Sequence, residues 1–166
     1  MSKSKKPVFA VLDLAIDWAD RETMLAKQEN RECLYDQRAF GAYTDCGTAH
    51  CLAGHIVAAA GYKPVEEDWS EVKDPLVGEE KFYASWNLAA ELINIPNGSD
   101  EDNNAYETAD GFFDSWLSLD EIKKNRDKLA VQHRTKTRYF KKDEVLDVLI
   151  GDAIAGEQDF EEEEEL

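Results

Sequence analysis

Two cysteines, two histidines and two glycines fall within the string Asp45-Cys46-Gly47-Thr48-Ala49-His50-Cys51-Leu52-Ala53-Gly54-His55. Clustered thiols and imidazoles support two kinds of chemistry. A cysteine at the start of a helix meets backbone N–H groups that lower its pKa and make it a nucleophile. Asp45-Cys46-Gly47 has the form of such a start, and a hydrolase built on it would need a histidine base further along. The downstream candidate is His133, in Val131-Gln132-His133-Arg134-Thr135, so Cys46 and His133 form the catalytic pair of that reading. Alternatively, a tetrahedral metal site would join Cys51 and His55 to Cys33 and His133.

Helical geometry limits both readings. If a helix runs from Gly47 to Ala60, then Cys46 and His50 lie within about 40° of each other, as do Cys51 and His55. The two pairs, however, diverge by roughly 140°. Four ligands on that single helix cannot surround one ion, and neither Cys33 nor His133 has the spacing of a zinc finger or ribbon. A Cys46–Cys51 disulfide across the same helix would span about 8 Å between Cα atoms, beyond relaxed reach. A packing explanation accounts for more of the residues. Leu52, Ile56, Ala59 and Ala60 form one face, while Gly47, Cys51, Gly54 and Ala58 form a stripe of small residues that admits a neighbouring backbone. On this view the cysteines are small buried hydrophobes and the histidines satisfy carbonyl groups. No cofactor is expected.

The elements that must position these residues read as helices. The spacing of Phe9, Leu12 and Ile16 predicts a helix from Pro7 to about Gln28. The helix over 47–60 should end at Gly61. Lys63 to Gly78, with two prolines and five acids, reads as a long acidic surface loop pinned by Trp69. Further helices are expected over Glu79–Asn94, around Tyr106–Trp116, from Ser118 through Leu129, and over Lys142–Ala155. The expected fold is therefore all-α: a compact bundle of about six helices with a long acidic loop. Residues 1–6 form a basic extension, residues 7–156 a single helical domain, and residues 157–166 an acidic tail expected to be disordered.

Charge is unevenly laid along the 166 residues, whose formal net charge is −17. Residues 1–65 balance, whereas residues 66–114 carry fourteen acids against two bases. Residues 115–142 carry nine bases against three acids, and residues 143–166 carry acids only. This excess argues against direct nucleic-acid binding, which needs clustered Lys and Arg. It suits a partner with a basic surface. The carboxylates expected to face that partner are Glu66, Glu67, Asp68, Glu71, Asp74, Glu79, Glu80, Asp100, Glu101 and Asp102. The stretch Lys123 to Lys142 is expected to pair with the protein's own acids or, less simply, to touch nucleic acid. No apolar run reaches the roughly 20 residues of a membrane span, and three cysteines without a secretory signal fit a reducing cytoplasm.

Cys46-Gly47-Thr48-Ala49-His50-Cys51-Leu52-Ala53-Gly54 resembles the Cys-Gly-Thr-x-x-Cys-x-Ala-Gly signature of small uncharacterised bacteriophage and bacterial proteins. The likeness extends over roughly residues 33–155. It includes Tyr35-Asp36 before the signature, Ala89-Ala90-Glu91-Leu92-Ile93 after it, then Phe112-Phe113 and Trp116. The family position expected to be tryptophan is His55 in this chain. The resemblance implies a phage setting and a compact helical fold, and no particular activity. Asp45-Cys46-Gly47-Thr48-Ala49 is also superficially similar to the nucleophile turn of papain-like peptidases. Together these observations predict a non-enzymatic acidic binding protein, a phage accessory factor that inhibits a host protein by imitating DNA phosphates. The alternatives are a Cys46 hydrolase and a Cys/His metal module.

Overall fold

The computed structural model describes residues 6–44, 47–76, 81–98 and 104–153, with residues 151–153 described through their backbone alone. The chain divides into two compact units, Met1–Leu119 and Asp120–Leu166. In the first, α1 (Phe9–Glu29) is followed by the strands β1 (Ala42–Thr44) and β2 (Gly47–Ala49), then α2 (Leu52–Ala59). Three more strands come next, β3 (Lys63–Val65), β4 (Asp68–Lys73) and β5 (Phe82–Ala84), before α3 (Ser85–Leu92). A 3₁₀ turn at Ala105–Glu107 and the short α4 (Asp110–Phe113) complete this unit. The second unit holds nearly all of α5 (Leu119–Gln132) and α6 (Lys142–Ala153).

The all-α expectation is thus overturned: the fold is mixed, with a two-stranded β1–β2 sheet and an antiparallel β3–β4–β5 sheet. The acidic stretch after Lys63 is a hairpin, not a loop. Lys63 pairs with Lys73 and Val65 with Asp68, leaving Glu66 and Glu67 as a two-residue turn. Both turn residues have positive φ, 52° and 67°. A type I′ turn requires that at both central positions, and its usual sequence signals are Asn-Gly or Asp-Gly. Two glutamates hide the turn. Most of the strands are three residues long, too short to show an apolar–polar alternation.

Helix α2 begins at Leu52, five residues later than its sequence pattern suggested, because Gly47 has φ 137° and belongs to β2. It packs on α1, α3, α4 and β4, a central position. Its residues Leu52, Ala53, Ile56 and Val57 are buried together with Leu12 and Ile16 of α1, Leu88 and Ala89 of α3, Val72 of β4, and Phe112. The helices stop by a shared device. Gly61 after α2 has φ 101°, the Tyr62 N–H donates to Val57 O, and the Gly61 N–H donates to Ala58 O. This is a Schellman cap at the expected glycine. Asn30, Asn94 and Arg134 take the same left-handed role after α1, α3 and α5.

Candidate interaction surface

The β3–β4 hairpin carries Glu66, Glu67, Asp68 and Glu71 with exposed side chains, and Asp74 follows half-buried. Acids gather at the tip, while Lys63 and Lys73 pair at the open end. Asp68 accepts from the Ser70 backbone N–H at 3.0 Å and from its hydroxyl at 2.8 Å, both through Oδ1. The backbone bond, reinforced by the hydroxyl, holds the Asp68 carboxyl below the usual carboxylate range. Its negative charge is therefore fixed in position as well as in sign. Asp74 accepts from the Leu76 N–H in the same manner.

The hairpin is tied down from beneath. The Ser85 hydroxyl donates to the Trp69 carbonyl at 2.5 Å, and the Tyr43 hydroxyl donates to the Glu67 carbonyl at 3.4 Å. The Trp69 ring lies on Gly41, where a Cβ would fall 2.3 Å from ring carbons. His50 meets that ring edge-on, with centroids 4.7 Å apart. Trp69 is thus the pin that the sequence suggested. Its Nε1 is buried without a hydrogen-bond partner among the described residues.

The cysteine–histidine string serves this anchorage. His50 Nδ1 lies 2.6 Å from the Phe40 carbonyl oxygen, so that nitrogen carries the proton and donates. Burial pushes the His50 imidazole pKa down, and the Phe40 bond opposes it. Cys51 is the N-cap of α2, with its sulfur accepting from the Gly54 N–H at 3.4 Å. Burial nevertheless pushes the Cys51 thiol up, so it is a neutral packing group at neutral pH. His55 stacks on Trp18 at 4.0 Å and 5°. Cys33 is half-buried and lies 3.9 Å from the Thr23 hydroxyl. His133 sits just beyond α5 in the second unit, its N–H donating to Leu129 O. Among the described residues no three His, Cys, Asp or Glu side chains are grouped to hold a metal ion. Cys46, Glu79, Glu80, Asp100, Glu101, Asp102 and the acidic tail lie outside the described residues.

Burial pushes the His55 imidazole down to about 4, with lesser contributions from His50 and Arg21. A histidine with a lowered folded pKa binds fewer protons than the unfolded chain between about pH 4 and 6.5. Stability from this residue is therefore complete above pH 6.5 and is lost as pH falls toward 4. We expect the melting temperature to drop over that window, and His55→Phe, which keeps the stack on Trp18, to flatten the drop by about one linked proton. Parallel pH profiles of the two proteins would contradict the assignment.

Sequence reasoning missed three polar anchors. Glu22, buried on α1, receives Arg31 through both carboxylate oxygens and also the Leu34 N–H. Gln37 donates to the Phe112 and Asp114 carbonyls while its oxygen accepts from the Tyr35 hydroxyl at 3.0 Å. In the second unit Asp127, fully buried, accepts from the backbone N–H groups of Arg138, Tyr139 and Phe140. No periodic pattern announces a carboxylate or amide that binds irregular backbone. The stretch around Lys123–Lys142 uses its cations on its own rings as well: Lys123 Nζ lies 5.5 Å from the Tyr139 centroid and Lys124 Nζ 5.5 Å from that of Phe140. A cleft of about 390 Å³ also opens over Cys51, walled by Phe40, Trp86 and Phe113 with Arg38 and Asp114 at its sides. Among the described residues no helix is long and apolar enough to cross a membrane. No family model, curated protein or solved structure matches this chain.

Proposed function

We propose that this chain is a non-enzymatic acidic binding protein, a phage accessory factor that occupies the basic, nucleic-acid-binding groove of a host protein. The observation that carries this reading is the exposed tip Glu66-Glu67-Asp68, with Glu71 behind it, on a hairpin pinned by Trp69. Charges held on a fixed backbone lose little conformational freedom on docking, so they act as a preformed ligand. A row of carboxylates presented in this way competes with phosphates for Lys and Arg side chains. The long-range field of a −17 chain steers the encounter with a cationic partner and repels nucleic acid itself.

The turn supplies a clean test. Glu66→Asn with Glu67→Gly installs the preferred type I′ pair, so it keeps the hairpin while removing two charges. Adding Asp68→Asn and Glu71→Gln neutralises the tip. Host proteins retained on DNA-cellulose are expected to be released by the wild-type chain at low salt and not at high salt, since screening removes the attraction. The neutralised variant should need about tenfold more protein for the same release. Equal release by the two proteins, or none by the wild type at any salt, rejects the reading.

A further inference from the structure

The face of α1 opposite its core side carries Ala10, Leu14, Asp17, Arg21 and Met24, spaced by four, three, four and three residues. That spacing makes one continuous seam along a helix. Leu14 is 69% exposed and Met24 53%, the two large apolar side chains of the helix that are most open to solvent. Beside Leu14 runs a largely apolar trough of about 240 Å³, lined by Val11, Ala15, Ile56, Ala59 and Leu92 as well, with His55 in its wall. The seam has a symmetry of its own: Leu14 and Asp17 precede its midpoint, at residue 19, by the same steps with which Arg21 and Met24 follow it.

We infer that this face binds a second copy of the chain, with the two α1 helices packed antiparallel about a twofold axis near residue 19. In that register Asp17 meets the partner's Arg21 and Arg21 meets the partner's Asp17. Leu14 and Met24, ten residues apart and thus about 15 Å along the axis, each meet the other type on the partner. The partner's Met24 reaches the mouth of the trough beside Leu14, and an unbranched thioether suits an irregular apolar slot. A twofold interface must be self-complementary, residue i against j and j against i. Acid before base on one helix satisfies this antiparallel and fails parallel, where Asp17 would face Asp17. Because Asp17 and Arg21 are four residues apart, the dimer closes two intrahelical neighbours into a ring of four alternating charges. Two chains of −17 repel at long range, so association through this apolar seam should strengthen as salt rises. That is the reverse of what the proposed host interaction should do, so the two ideas fail separately.

Sedimentation equilibrium of the full chain in reductant, at low and high salt, tests the pairing. The wild type is expected to rise from one chain mass toward two over a micromolar concentration range, at lower concentration in high salt. Asp17→Arg and Arg21→Asp should each lose self-association at least tenfold, since each sets like charges against each other. Mixing the two variants should restore a heterodimer, because both arginines of the first variant would then face the two aspartates of the second. Circular dichroism of each variant at its monomer concentration checks that α1 persists, and the restored heterodimer itself requires a folded helix. A monomeric wild type at every salt, or dimerisation that both single variants leave intact, or failure of the mixture to reassociate, overturns the proposal.

Discussion

Replacing Asp127 by alanine is expected to destabilise the second unit by about 3–5 kcal/mol, the loss seen when one partner of a buried charge pair is removed. Asp127 is fully buried on α5, where its Oδ1 accepts from Arg126 Nη1 at 3.0 Å and from the Arg138 N–H at 2.8 Å. Its Oδ2 accepts from the N–H groups of Tyr139 and Phe140 at 2.8 and 2.7 Å. Three successive backbone donors converge on one carboxylate, and without it they have no strand or helix to bond within. Alanine would take the shared acceptor from those three donors and the buried carboxylate from the Arg126 guanidinium at once. Asparagine should recover little, because its NH₂ group would face donors on whichever side it is placed. Urea unfolding followed by circular dichroism measures the loss, and amide exchange at Arg138, Tyr139 and Phe140 locates it. A cost under about 1 kcal/mol, with those three amides still protected, would show that the segment is held by something else.

The same segment shows where the sequence was legible and where it was not. Thr137-Arg138-Tyr139-Phe140 looks like a fragment of strand, yet it pairs with a side chain instead of another strand. Strand patterns report which face is buried, and they carry no information about a single acceptor reaching across from a helix. The long helices were legible because their apolar spacing extends over several turns: α1, α5 and α6 stand close to their expected bounds. Asn30 and Arg134 ended helices without a glycine to mark the place, since the cap needs a left-handed residue and Asn or Arg can be forced into it. Glu66 and Glu67 did the same for the hairpin turn. Left-handed φ at Glu66 and Glu67 costs about 1–2 kcal/mol each, met by the packing of Trp69 and the sheet around it. Tertiary contacts decided these positions, and no local reading reaches tertiary contacts.

The candidate site was half legible. Exposed Glu66, Glu67, Asp68 and Glu71 were identified as a group from charge alone, and Trp69 as the residue that anchors them. What the charge count could not give is their shape, a turn instead of a loop. The cysteine–histidine string departs from its expectation in where its helix begins. Its helix starts at Leu52, so the angles expected for Gly47 and His50 on a common helix do not apply. His50 belongs to an extended segment bridged to Tyr35, and it points at the Phe40 carbonyl. The small-residue argument survives at Gly54, where another backbone does come close.

Gly54→Ala is accordingly expected to destabilise the first unit by about 3 kcal/mol or more, at the upper end of overpacking penalties. An added Cβ would lie 1.9 Å from the Phe40 carbonyl oxygen, 2.8 Å from its carbon and 3.0 Å from His50 Nδ1. The first two are backbone atoms, so no rotamer change relieves the clash. Helix propensity runs the other way, favouring alanine by at most about 1 kcal/mol and by less in the first turn, where Gly54 lies, so a net loss isolates the steric effect. Gly61→Ala provides the contrast: nothing lies within 4 Å of its Cβ, and its φ of 101° limits the cost to backbone strain of about 1 kcal/mol. Thermal and urea unfolding of the two variants should therefore separate clearly. The displaced Phe40 carbonyl is also the acceptor of His50, whose ring meets Trp69 beneath the acidic hairpin. Loosening that chain of contacts should weaken the displacement of DNA proposed for the hairpin, although Gly54→Ala changes no charge. Undiminished displacement by a folded but destabilised Gly54→Ala protein would show that the carboxylates act without the rigid platform beneath them.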